Sequence, residues 1–106
     1  MVSMKTIRKF ADRLARQYQP EKIILFGSYT TGKANEDSDV DILVVMSFRG
    51  NSVVKSIEIT QALHPDFRVD LLVRTPANLR KRLAQHDFFL MEVMETGKVL
   101  YEAAYA

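Results

Sequence analysis

The chain of 106 residues has no cysteine, no tryptophan, three prolines and four glycines. Without cysteine there are no disulfides and no thiolate chemistry, which fits a reducing cytoplasm. The longest unbroken apolar run is Ile42 to Met46, far short of the ~20 residues a membrane-spanning helix requires. The first ten residues hold no continuous apolar segment, so no secretory leader is expected. Low-complexity tracts and repeats of solenoid period are absent too, which sets aside disordered and array architectures. No strong charge of either sign dominates, the net charge being +2. Basic residues gather as Arg8, Lys9, Arg13 and Arg16 and again as Arg80, Lys81 and Arg82. They read as solvated helix faces, or more sharply as a surface that meets an acidic partner or phosphates. They form no long basic stripe with aromatic residues interleaved, so direct nucleic-acid binding is not expected.

What is present suits one domain spanning residues 1–106, with 47% hydrophobic and 26% charged residues. Ile7, Phe10, Ala11, Leu14 and Tyr18 recur at spacings of three and four, predicting a helix from about Ser3 to Tyr18 that Pro20 ends. Ile23 to Phe26 is a short strand covered on both sides. Gly27 and Gly32 bracket Ser28 to Thr31, long enough for one helical turn, and Lys33 to Ser38 is a polar loop. Val40 to Met46 is a second strand, with Asp41, Leu43 and Val45 on one face and Val40, Ile42, Val44 and Met46 on the other.

A connection follows, and a helix from about Asn51 to Leu63 is expected to bury Val53, Val54, Ile57 and Leu63 before His64-Pro65 stops it. Arg68 to Arg74 is a third strand, with Val69, Leu71 and Val73 opposite Asp70 and Leu72. Thr75-Pro76 starts a helix to about Gln85. Asp87 caps another, to about Glu95, which Gly97 ends, and Val99 to Tyr101 is a last short strand. The order predicts an α/β (α+β) fold, a small sheet flanked by helices.

Three carboxylates interrupt this apolar pattern. Asp39 and Asp41 would share a strand face about 6.8 Å apart, where two like charges repel by roughly 2.5 kcal/mol at an effective dielectric near 20. Asp70 lies inside the third strand between Val69 and Leu71. Asp39 and Asp70 have ordinary explanations, a turn at Ser38 and an ion pair with Arg68 or Arg74, whereas Asp41, flanked by Val40 and Ile42 in the strand itself, is harder to dismiss. Together they point to a cation. Mg²⁺ takes oxygen ligands and is commonly held by one or two carboxylates plus substrate phosphates. Two such ions can clamp the attacking and leaving oxygens of a displacement at phosphorus. Gly27 admits a phosphate close to the backbone, and Ser28 offers a hydroxyl. The loop is not a Walker A loop, because Gly32 is followed by Lys33 and Ala34 rather than by lysine and Ser/Thr. His64 and His86 have no second ligand at metal spacing. Tyr101 and Tyr105 read as packing or chain-end residues rather than modification sites.

Gly27-Ser28, Asp39-x-Asp41 and a later-strand Asp70 resemble the signature of the DNA polymerase β-like nucleotidyltransferase superfamily. The short chain resembles its minimal nucleotidyltransferase (MNT) branch. The resemblance, with its flanking strands, covers residues 23 to 73, and Glu95 to Glu102 and the first helix fit it less specifically. It implies two magnesium ions on Asp39 and Asp41, with Asp70 joining the one nearer the attacking hydroxyl. It implies ATP as donor, its β- and γ-phosphates held at Gly27 and Ser28, with Lys33 the nearest cation. Members often carry an arginine soon after the Gly-Ser pair, whereas Tyr29-Thr30-Thr31 stands here.

Larger transferases of the superfamily add an acceptor-binding domain, for which this chain has no spare length. The MNT branch is commonly the antitoxin of a HEPN-domain ribonuclease toxin, to a tyrosine of which it transfers AMP. That activity is the leading expectation, with a homo- or hetero-oligomer compatible. A non-catalytic module that masks the toxin is the alternative. Phe88 to Met91 with Val93 and Met94 is apolar around more of its helix than one core face needs, and a mostly buried helix is the expected reason. A stand-alone transferase for small molecules fits the motif but not the length.

Overall fold

The computed structural model describes residues 1–104. Helix α1 (Met4–Tyr18) opens where the Ser3 hydroxyl accepts the Thr6 N–H, and it buries Ile7, Phe10, Ala11, Leu14 and Ala15. The chain continues through β1 (Lys22–Phe26), α2 (Ser28–Thr31), β2 (Val40–Val45) and α3 (Ser52–Leu63). It then runs through β3 (Val69–Arg74), α4 (Pro76–Ala84), α5 (Phe88–Thr96) and β4 (Lys98–Glu102). The four strands form one mixed sheet in the order β3-β2-β1-β4. β1 is antiparallel to β2 and to β4, and β2 is parallel to β3. A parallel neighbour needs a crossover, which α3 provides.

Alternation along the strands divides the core into two layers. Val40, Ile42 and Val44 of β2 pack with α1 and with Ile59 and Leu63 of α3 on one face. Leu43 and Val45 pack with Leu79 of α4 and with Leu90 and Val93 of α5 on the other. Full burial of an Ile or Leu side chain such as Ile42 or Leu43 stabilises by about 1.5–3 kcal/mol. Covering both faces is why β1 and β2 read as nearly continuous apolar runs.

Two expectations about burial are corrected. In α3, Val53, Val54 and Ile57 are 63%, 62% and 51% exposed, whereas Ile59 and Leu63 are buried. The face toward the sheet also carries Ser56 and Thr60. Their hydroxyls donate to the carbonyls of Val53 and Ser56 at 2.7 and 2.8 Å, so they need no outside partner. In α5, only Leu90 and Val93 are buried, while Phe88 is 81% and Phe89 53% exposed.

Gly97 ends α5 as expected, but with φ −70 rather than a left-handed conformation. A β-carbon there would overlap the Val93 carbonyl and Cγ2 of Ile24, so close packing against β1 requires the glycine. Tyr101 is half-buried against the α1-side core. Tyr105 lies outside the described residues.

Candidate active site

The loop that delivers the first carboxylate is braced by its own side chains. The Asn35 N–H donates to Ser38 Oγ at 2.9 Å, and the Asp37 N–H donates to Asn35 Oδ1 at 2.8 Å. Asp39 follows, immediately before β2, and the Val40 N–H donates to the Arg68 carbonyl at 3.0 Å. Asp41 is paired across the sheet with Phe26 on one side and Asp70 on the other. Adjacent strands stand about 4.8 Å apart and paired residues point to the same face. Asp41 and Asp70 are therefore side by side at the rim of the α4/α5 layer. Asp39, two positions from Asp41, precedes β2 and lines a different cavity, with Thr60, Gln61 and His64.

Asp39 does not turn freely toward that pair. Its Oδ1 is 3.0 Å from Nε of Arg68, whose guanidinium also donates to the Asp37 carbonyl. Arg68 thus partners Asp39 rather than Asp70, the reverse of the pairing suggested by the strand sequence. Among the described residues no group of three or more His, Asp or Glu is gathered into a cation cage.

The electrostatics nevertheless link all three. The Asp41 carboxyl is pushed above the usual carboxylate range, first by burial, then by the charge of Asp70, then by that of Asp39. A site with this donor set suits a hard divalent cation, which removes the repulsion and takes its remaining oxygens from phosphate and water.

The other half of the site is the turn after β1. Gly27 has φ 77 and ψ −148 and precedes the single turn of α2, and Gly32 closes it in the left-handed region. The N–H of Thr30 and its hydroxyl both donate to the Gly27 carbonyl, at 3.0 and 2.9 Å. A β-carbon on Gly27 would overlap Oδ2 of Asp41, so Gly27 and Ser28 lie at the aspartates. Lys33 is exposed just past Gly32, its N–H bonded to the Ser28 carbonyl at 3.2 Å.

Sequence reading missed what α5 brings. A pocket of about 230 Å³ is lined by Asp41, Gly27, Thr31, Phe26, Phe89 and Glu92 among others. Phe89 stands edge-on to Phe26, with ring centroids 5.8 Å apart. The spacing of Phe89, Glu92 and Thr96 puts them on one helical face, but no local signal places that face over Asp41.

Residues 7–99 match the family described as Nucleotidyltransferase domain. A Methanocaldococcus jannaschii protein with the provisional name protein adenylyltransferase is 32% identical over 99 residues, covering 92% of this chain and 96% of that protein. The protein adenylyltransferase MntA of Thermococcus cleftensis is 41% identical over 64 residues, 58% of this chain and 64% of that protein. A chain of a crystal structure of a toxin–antitoxin with AMP-PNP is 28% identical, covers 92% of this chain and 75% of that chain, and superposes with a TM-score of 0.61.

Proposed function

Because the chain belongs to the nucleotidyltransferase domain family, we propose that it transfers AMP from ATP to a tyrosine of a cognate HEPN ribonuclease toxin. The observation that carries this reading is the side-by-side placement of Asp41 and Asp70 against the Gly27 turn. The names of the relatives support the adenylyl group, and the toxin–antitoxin neighbour supports a protein acceptor.

Asp39 and Asp41 would hold two magnesium ions, with Asp70 on the one nearer the acceptor. When bound, they supply positive charge at the attacking and leaving oxygens. Gly27 and Ser28 position the β- and γ-phosphates, with Lys33 as the nearest additional cation. Asp70 accepts the proton of the acceptor hydroxyl. The oxygen–phosphorus bond then forms at the α-phosphorus as the bond to the β-phosphate oxygen breaks, and pyrophosphate leaves. With ATP labelled at the α-phosphate the toxin acquires label, and with ATP labelled at the γ-phosphate it does not. Label from the γ position would mean phosphate transfer and overturn the reading.

A second reading is favoured by the exposed apolar residues of α3 and α5: masking of the toxin by contact alone. If masking suffices, a double Asp39→Asn, Asp41→Asn variant still neutralises the toxin in cells. If transfer is required, that variant binds without neutralising.

A further inference from the structure

The parallel pair β2–β3 makes a second concavity at the end remote from the aspartates. β2 leads to α3, which packs Ile59 and Leu63 on one face of the sheet, and β3 leads to α4, which packs Leu79 on the other. Neighbouring parallel strands whose connections leave to opposite faces cannot close over their carboxyl ends. A crevice stays open between the two loops, the usual ligand position of open α/β sheets. Here it holds a cavity of about 370 Å³ lined by Phe48, Ser52, Arg74, Thr75, Asn78 and Arg82, among others. That volume is the size of a small-molecule site.

The lining contains two guanidiniums and no carboxylate. Arg74, the last residue of β3, is half-buried, and among the described residues it has no carboxylate partner. Its Nη1 donates to the Val73 carbonyl at 3.1 Å and reaches Ser52 Oγ only at 3.4 Å, which leaves most of its donors unused. Arg82 is oriented by Asp87, with Nη2 and Nε at 2.8 and 2.9 Å from Oδ2. The Thr75 hydroxyl accepts the Asn78 N–H at 3.1 Å and keeps its own proton to donate. A half-desolvated guanidinium without an anion is unfavourable, and its planar fork matches a phosphate in two parallel hydrogen bonds.

We propose that this cavity binds the phosphate of a phosphorylated small molecule of mononucleotide size. Arg74 pairs with the phosphate, Ser52 and Thr75 donate to it, and Phe48 lies against the ligand's ring. Arg74 lies four strand positions from Asp70, about 13 Å at 3.3 Å per residue, so the site is distinct from the aspartates. It does not depend on the transfer reaction.

Amide spectra of the isotope-labelled protein, titrated with AMP and separately with pyrophosphate in chelator at fixed ionic strength, test this. AMP is expected to shift the amides of Ser52, Arg74 and Asn78. Arg74→Gln is expected to weaken that binding about tenfold, the loss of a charge-assisted pair. Arg82→Gln, which keeps Arg74, is a second variant and should weaken it less. Shifts confined to Gly27 and Asp41, the same shifts with sodium chloride, no shifts, or unaltered affinity in both variants would overturn the proposal. Binding of pyrophosphate without AMP would overturn the mononucleotide assignment.

Discussion

Gly27 and Asp41 are fitted to one another: the space where a Gly27 β-carbon would sit is taken by Oδ2 of Asp41. The backbone there, φ 77 and ψ −148, is one that glycine alone adopts freely. Gly27→Ala is therefore expected to cost about 1–3 kcal/mol of stability and to abolish transfer by displacing the carboxylate. Gly32→Ala meets open space at φ 76, so it should cost roughly 1–2 kcal/mol and keep most of the activity. Thermal denaturation and α-labelled ATP transfer compare the two. Equal activity in Gly27→Ala and Gly32→Ala would contradict the fit.

The raised Asp41 carboxyl sets a sign for pH dependence. Because it is raised by burial and by Asp70 and Asp39, the native state binds its proton more readily than the unfolded chain. Stability therefore falls as pH rises from the ordinary carboxylate range through the elevated one. In chelator near neutral pH, Asp41→Asn is expected to stabilise the protein by roughly 0.5–1 kcal/mol after solvent screening, a gain that shrinks in acid. Asp87 has the opposite sign. The Leu90 N–H and then Arg82 hold its carboxyl below the usual range, so its contribution is present above that range and lost as pH falls. Denaturant midpoints at several pH values read both. A destabilised Asp41→Asn at neutral pH would contradict the account.

Arg68 occupies an oxygen of Asp39 at 3.0 Å, with side chains 66% and 51% exposed. Exposed pairs contribute about 0–1 kcal/mol. Arg68→Ala is expected to tighten divalent-cation binding by up to about fivefold, with the difference shrinking as salt is raised. Calorimetric titration with Mn²⁺ in the absence of nucleotide measures it, and weaker binding would be the contrary result.

The two faces of α3 should respond differently to substitution. Leu63→Ala opens the α1-side core and is expected to cost about 2–5 kcal/mol. Val53→Ser and Ile57→Ser, on exposed residues, should each stay within about 0.5 kcal/mol. Urea denaturation separates them, and a loss at Ile57 as large as that at Leu63 would restore the burial expected from sequence.

The strands, the turn after β1 and the shared face of Asp41 and Asp70 were legible because each rests on a local signal: apolar runs, paired glycines and alternation. The short helix Ser28–Thr31 coincides with the segment the glycines bracket. α3 was misread because counting apolar residues ignores Ser56 and Thr60, whose hydroxyls bond within the helix and let a mixed face approach the sheet. The Arg68–Asp39 pair and the approach of Phe89 and Glu92 to Asp41 were not legible. They depend on the β2–β3 register and on how α5 crosses β1, which tertiary packing decides.

The central claim is tested most directly by the mass of the partner toxin after incubation with this protein, ATP and magnesium. The account predicts a gain of one or more AMP units on a tyrosine, and none when Asp41→Asn replaces the wild type. An unchanged toxin with the wild-type protein, or the same gain with Asp41→Asn, would contradict it.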